Sequence, residues 1–377
     1  MTVDAVRRRP RDRRARILDA AAHRFWSDGY HQVSMAAIAA DVGIGASALY
    51  RHFRGKEELL LTVLDGQLRS MEEIAAHDDD PVAALIDFTL EHREFGVLWE
   101  REAGHLPETD RRGLRHRLRG LAAGLAAERT DVPGLRSWAI VSVLGSPSHH
   151  HTDLDHARFA AILRDAARAV ATTPLPDDTS VLVEPRSDLR PASRREALLA
   201  VAVRLFAERG YPSVGLDDIG AAAGIAGPSV YNHFATKADV LVAALGRGNE
   251  ALWLGLHRAL THAETAAQAL DLLVGHYSDF ATENPDVVDV LVTEVPHLPD
   301  ERRDVFRRAQ RDYLAEWVAL IHRDAPDLPE PETRVRVHAA IAVVNGLSRI
   351  PHLRATPGYT AHTAALARAV LDRSSVN

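Results

Sequence analysis

Two short segments hold the residues whose types and spacing invite chemistry. YRHFRGK (Tyr50–Lys56) and YNHFATK (Tyr231–Lys237) share Tyr-x-His-Phe-x-x-Lys and stand 181 positions apart. The chain carries 45 basic residues, yet its only lysines are Lys56 and Lys237, one closing each segment. A phenol, an imidazole and an ammonium in one short stretch make a set of hydrogen-bond donors suited to anionic oxygen. Enzyme signatures do not accompany them: there is no Walker-type loop, G-x-S-x-G elbow or H-E-x-x-H pair. With no cysteine, a thiol nucleophile, a disulfide framework and a cysteine zinc site are excluded. The run SHHHTDLDH (Ser148–His156) contains metal-ligand types. It follows Gly145-Ser-Pro and reads as a turn, so no metal ligand and no cofactor are assigned.

At 377 residues the chain is too long for one ordinary core, which implies two or more domains. The hydrophobic share of 46% and charged share of 26% are those of a soluble globular protein. The start, MTVDAVRRRPRDRR, is basic and lacks the apolar core of a signal peptide. No apolar run approaches the roughly 20 residues that span a bilayer. A cytoplasmic protein without a membrane partner is expected. Net charge is −7 overall, but residues 1–60 carry +4 and residues 186–245 carry +1. Any contact with a phosphate backbone therefore belongs in these two windows, chiefly the first.

The lysine segments close a longer internal repeat. Arg13–Leu60 aligns without a gap on Arg194–Leu241, matching Phe25 with Phe206, Gly29-Tyr30 with Gly210-Tyr211 and Gly43-Ile44 with Gly224-Ile225. Ile17, Leu18, Ala21 and Phe25 have the spacing of one apolar helix face, which Gly29 should end. Ser34 is placed to cap a second helix with Ile38 and Val42 inward. Gly43 turns the chain into a third, from Ala46 to about His52. Pro228 falls near the first turn of the third helix in the second copy, where its missing N–H costs little. Three short helices with a glycine turn are a helix–turn–helix, the form that lays a helix in a major groove.

Both copies resemble the DNA-binding domain of tetracycline-repressor (TetR) type transcriptional regulators. The resemblance rests on Gly-Ile-x-x-x-x-Leu/Val-Tyr-x-His-Phe-x-x-Lys, about 25 residues after an apolar helix containing Phe, found twice. It continues into Glu91–Arg112 and Glu283–Asp304, whose His-Leu-Pro elements at 105–107 and 297–299 align at an offset of 192. AARAVA (166–171) and LARAVL (366–371) align at 200.

The resemblance implies an all-α protein of two fused TetR-like units. The expected division is a DNA-binding domain at 1–55, a helical ligand-binding and dimerisation domain at 56–171, a linker at 172–191, a second DNA-binding domain at 192–236 and a second ligand domain at 237–377. Helices near 135–147 and 155–171 are expected to dock on those near 332–349 and 359–372 as an intramolecular pseudo-dimer, with homodimerisation as the alternative. In copy 1 the implied phosphate contacts are Tyr50, His52 and Lys56, with Ala46 and Ser47 near base edges. In copy 2 they are Tyr231, His233 and Lys237, with Gly227, Pro228 and Ser229 at the reading end. Arg51 and Asn232 occupy the same position; at bases they would favour guanine and adenine, and phosphate is the other reading. Arg7, Arg8, Arg9, Arg11, Arg13 and Arg14 form an arm for the DNA backbone or minor groove, or a solvated tail.

The expected partner is a double-stranded DNA operator, imperfect or asymmetric, bound by a repressor. A small effector, apolar or lipid-like, would release it. Phe88, Phe95, Leu98 and Trp99, with Tyr277, Phe280 and Trp317, are the candidate pocket residues, against a plain core reading. Two departures set copy 2 apart: Gly215 stands where a capping Ser or Thr is usual, and Asp217-Asp218 lie near the presumed DNA face. Two alternatives follow: a regulator in which copy 1 alone reads DNA, and a small-molecule binding or sequestering protein with vestigial DNA-binding units.

Overall fold

The computed structural model describes residues 10–126, 134–178, 180 and 191–372, the side chains of residues 10–12 excepted. Among these the regular structure is helical throughout, without a strand. Copy 1 runs α1 (Pro10–Asp28), α2 (Met35–Asp41), α3 (Ala46–Leu49), α4 (Lys56–His77), α5 (Pro81–Glu91), α6 (Phe95–Glu100), α7 (Glu108–Ala123), α8 (Leu135–Gly145) and α9 (His156–Thr172). Copy 2 begins with α10 (Arg194–Arg209), α11 (Leu216–Ala223), α12 (Gly227–Val230), α13 (Lys237–His262) and α14 (Ala266–Glu283). It continues with α15 (Pro285–Thr293), α16 (Asp300–Asp324), α17 (Glu330–Ser348), α18 (Pro351–Arg354) and α19 (Tyr359–Leu371).

By packing, the chain divides at Leu121 rather than at the connector, leaving α8 and α9 in the same compact unit as copy 2. The first unit is built on the helix periodicity read above. Ile17, Phe25, Ile38, Leu49, Phe53 and Leu59 are all buried in it, each worth about 1.5–3 kcal/mol in area removed from water. Gly29 and Gly43 take φ of 81° and 70°, which a side chain would resist. Ser34 accepts from the N–H of Ala37 at 3.1 Å, as its N-cap reading requires. A fork from Arg24 to Asp41, at 2.6 and 2.8 Å, ties α1 to α2. Arg117 ties α7 to α4 through Asp65 and Glu72.

In the second unit, Leu198, Phe206, Ile219, Val230 and Phe234 rebuild the same three-helix core. In the same unit α8 and α9 pack on α17 and α19. Arg136 donates to the carbonyl of Val170 at 2.7 Å, and 200 positions on Arg336 donates to that of Val370 at 3.3 Å. Arg158 forks onto Glu332 at 2.7 and 2.6 Å. Gly346 permits the close crossing of α17 over α8, since a Cβ there would collide with Ser142. The described part of the connector is docked. Ser180 accepts from the N–H of Gly358 at 2.7 Å through its carbonyl, and His362 Nε2 meets the carbonyl of Pro176 at 3.0 Å.

Candidate nucleic-acid interface

The third helices are short. Each has one full turn, after which Tyr50–His52 and Tyr231–His233 continue as a turn instead of the helix read to about His52. The reason lies in the next buried anchor: Phe53 and Phe234 must reach the core, and the main chain bends to seat them. That bend leaves Tyr50 and Tyr231 at the helix ends, 55% and 56% exposed, among the few large apolar side chains in solvent. Ser47, Arg51 and His52 share the exposed side in copy 1, as do Pro228 and Asn232 in copy 2. Ala46, Gly227, Ser229 and His233 are half-buried at the same ends.

The lysines have partners within their own units. Lys56 Nζ donates to the carbonyl of Tyr30 at 2.7 Å and lies 4.6 Å from that ring's centroid. Lys237 Nζ repeats this on Tyr211, at 2.8 and 4.1 Å. Burial pushes both ammonium groups below the ordinary lysine range. Lys56 also reaches the carbonyl of His31 at 3.4 Å. A compact ammonium suits a site of main-chain oxygen beside a ring face, which does not match the planar fork of a guanidinium. The phosphate role read from the resemblance thus falls on groups already bonded to their own fold. The arm divides similarly. Arg14 lies over the ring of Phe53 at 4.9 Å, matched by Arg195 over Phe234 at 4.5 Å. Arg13 is exposed. Arg7, Arg8, Arg9 and the side chain of Arg11 lie outside the described residues.

Copy 2 differs at its reading end. Asp218 accepts from the N–H of Gly215 at 2.7 Å, which satisfies that donor but leaves the first turn of α11 without the acceptor a Ser or Thr hydroxyl would give. Asp217 has no such use. It is exposed, and a Cβ on Gly227, the first residue of α12, would stand 3.2 Å from its Oδ1. The equivalent positions in copy 1 are Ala36 and Ala37. One reading end is therefore flanked by Arg51 and Arg54, the other by a carboxylate. At the start of α13, Thr236 and Asp239 form a reciprocal cap, with bonds of 3.2 and 2.9 Å.

The candidate pocket residues fall in two groups. Phe95 and Leu98 are buried on α6, with Trp99 half-buried and stacked 6.4 Å from Phe95. Phe88, on α5, meets His92 at 4.5 Å. In the second unit Tyr277 and Trp317 meet edge to face at 5.7 Å and enclose Tyr313. The Tyr277 hydroxyl donates to Asn345 at 2.8 Å, and burial pushes the Tyr277 phenol up to about 12. Phe280 is half-buried on α14. Among the described residues no group of three or more His, Asp or Glu side chains could hold a metal ion. No described helix is long and apolar enough to cross a membrane.

Sequence reasoning gave no site role to Glu102, His105, Glu294 and His297, although it aligned the two His-Leu-Pro elements. The signal was there, a Glu-x-x-His-Leu-Pro step repeated at an offset of 192.

Two three-helix units, each with an exposed residue at the end of its third helix, define the helix–turn–helix class. The profile of bacterial regulatory proteins of the tetR family matches residues 17–63 and 198–244, the two repeats. The chain belongs to the tetR family, with two of its units in tandem. Its relatives include the transcriptional activator FasR of Mycolicibacterium smegmatis, 32% identical over 27% of this chain and 52% of that protein. The transcriptional repressor KstR2 of Rhodococcus jostii is 29% identical over 41% of this chain and 72% of that one. The chain spans about half the length of the first curated relatives it matches. Among solved structures, the regulator PfmR of Thermus thermophilus covers 48% of this chain and 97% of its own, at 19% identity and a TM-score of 0.42.

Proposed function

We propose that this chain is a sequence-specific transcriptional repressor that reads an asymmetric operator with two unlike third helices. The observation that carries this reading is the pair Tyr50 and Tyr231, equivalent and both more than half exposed at the ends of those helices. A large ring kept in solvent at the same place twice fits a surface that is covered by a partner. Arg51, His52, Asn232 and His233 beside them supply donors for phosphate or base edges. In functional terms residues 1–55 and 192–236 are the reading domains, 56–171 and 237–377 the ligand and pairing domains, and 172–191 the connector. The contact of α8 and α9 with α17 and α19 supports a pseudo-dimer formed within one chain. A small apolar effector near Tyr277 and Trp317, or near Phe95 and Trp99, would favour a state with lower affinity for DNA.

Selection from a random duplex pool at graded salt tests the proposal. Two unlike half-sites, with affinity falling steeply as salt rises, are expected. Absence of salt-dependent binding to any duplex overturns it and leaves the sequestering reading. A second form, with copy 1 as the main reader, is favoured by Asp217 at the mouth of α12. It yields two like half-sites, occupied by two chains per duplex by mass in solution.

A further inference from the structure

The Glu-x-x-His steps before the two His-Leu-Pro turns take no part in the reading above, yet both stand at the same place. In copy 1, Glu102 is 2% exposed, and its Oε2 accepts the main-chain N–H of Tyr30 at 3.1 Å. Arg101 donates to the same carboxylate and to the carbonyls of Phe25 and Trp26, at 3.3 and 2.9 Å, where α1 ends. His105 Nε2 lies 3.5 Å from Glu102 Oε2, and its ring stacks on Tyr30 with centroids 4.7 Å apart and planes at 16°. Lys56 holds the Tyr30 carbonyl. One loop residue is thus gripped by its N–H, its ring and its C=O, from groups that all lie outside the three short helices.

Copy 2 repeats the ring and carbonyl contacts of this grip. Glu294 is 5% exposed, and its Oε2 is 2.9 Å from His297 Nδ1. The His297 ring lies 5.6 Å from that of Tyr211, whose carbonyl takes Lys237 at 2.8 Å. Position 101 is Arg in copy 1; its counterpart in copy 2 is Thr293, so the extra tie to the end of α1 is peculiar to copy 1.

We propose that Glu102 with His105, and Glu294 with His297, are positioning residues for DNA reading. Each pair fixes its three-helix unit on the core helices by the Gly-Tyr loop between the first and second helix. A carboxylate this buried is tolerated only while its donors stay in place. A shift of the reading unit by an ångström or two would break several charge-assisted bonds together, so the grip favours two discrete states over a graded drift. The gripping turn follows directly from α6 in copy 1 and from α15 in copy 2. A displacement of either helix therefore arrives first at the loop that orients the reader. The inference rests on the DNA-binding reading given above.

The test uses the full chain and the duplex selected from the random pool, with affinity and footprint measured well below the melting temperature. Glu102→Ala, His105→Leu and Tyr30→Leu should each weaken binding tenfold or more and lose protection over the copy 1 half-site. Tyr30→Phe keeps the ring and both main-chain groups, and should bind as the wild type does. Leu118→Ala, a buried change on α7 outside the grip, should lower the melting temperature while leaving affinity within about twofold. Binding by the three grip variants no weaker than by Leu118→Ala would overturn this inference alone. A wild-type chain without salt-dependent duplex binding would overturn the DNA reading and this inference with it.

Discussion

Lys237 donates to the carbonyl oxygen of Tyr211 at 2.8 Å while lying 4.1 Å from the centroid of the same residue's ring. The lysine opens α13 and the tyrosine lies in the loop after α10, so the contact closes the three-helix unit on the helix that leaves it. Lys237→Met keeps the aliphatic stem and removes the charged donor. It should cost about 1.5–3 kcal/mol of stability, the range for a hydrogen bond from a charged group. Tyr211→Phe, which keeps carbonyl and ring, should cost far less. Thermal melts of the two variants check this, and equal losses would show that the contact matters little.

Asp217 should weaken copy 2 as a reader. A carboxylate at the mouth of α12 would face the phosphates that a groove-bound helix approaches. Asp217→Ala should tighten duplex binding about fivefold, roughly 1 kcal/mol, and steepen the salt dependence. Ala36→Asp should do the reverse in copy 1. Titrations at two salt concentrations decide it: unchanged affinity and slope in both variants would remove Asp217 from the account.

Exchanging Arg51 and Asn232 separates base reading from phosphate contact. If both reach base edges, Arg51→Asn moves one position of the copy 1 half-site from guanine toward adenine, at about 1–3 kcal/mol of discrimination. If they meet phosphate, binding to all sequences falls together and the selected site stays the same.

Acid should loosen the packing of copy 1's last helices on α17. His338 is half-buried and stacks on His150 with centroids 4.0 Å apart, near His149 and Arg334. Burial, with those two neighbours, pushes its imidazole down to about 4. Between about pH 6.5 and 4 the unfolded chain therefore binds a proton that the folded chain refuses, so stability falls as pH falls through that window. The full effect is about 3 kcal/mol. Denaturant melts across the window should show it, and His338→Phe should flatten the slope. Equal slopes in both proteins would assign the acid sensitivity elsewhere.

The parts legible in the sequence were those fixed by local rules. Period 3.6 placed Ile17 and Phe25 inward, a positive φ required Gly29 and Gly43, and a serine oxygen free to accept placed Ser34 at a cap. Register 181 then carried the same reading to copy 2. Long-range partners were illegible, because no local pattern names them. Lys56 could be singled out by its rarity, but its acceptor, the Tyr30 carbonyl 26 residues earlier, could not. Glu102 reads as a solvated acid in an acidic stretch, and only tertiary packing buries it beneath Tyr30. Likewise Gly215 shows that a capping oxygen is missing, but not that Asp218 turns back to accept its N–H.

The crossing of α17 over α8 at Gly346 and Ser142 has a consequence for how such a protein can change. In a two-fold homodimer every substitution at the interface strikes twice, and a clash introduced on one face is met by its own copy. Here the two positions are encoded separately in one chain, so a larger side chain at 346 can be answered by a smaller one at 142, at the cost of the bond from Ser142 to the Trp138 carbonyl. Dilution does not separate them either, since the tether holds the second face at millimolar effective concentration whatever the number of chains present. The two halves are thus free to diverge, one substitution at a time.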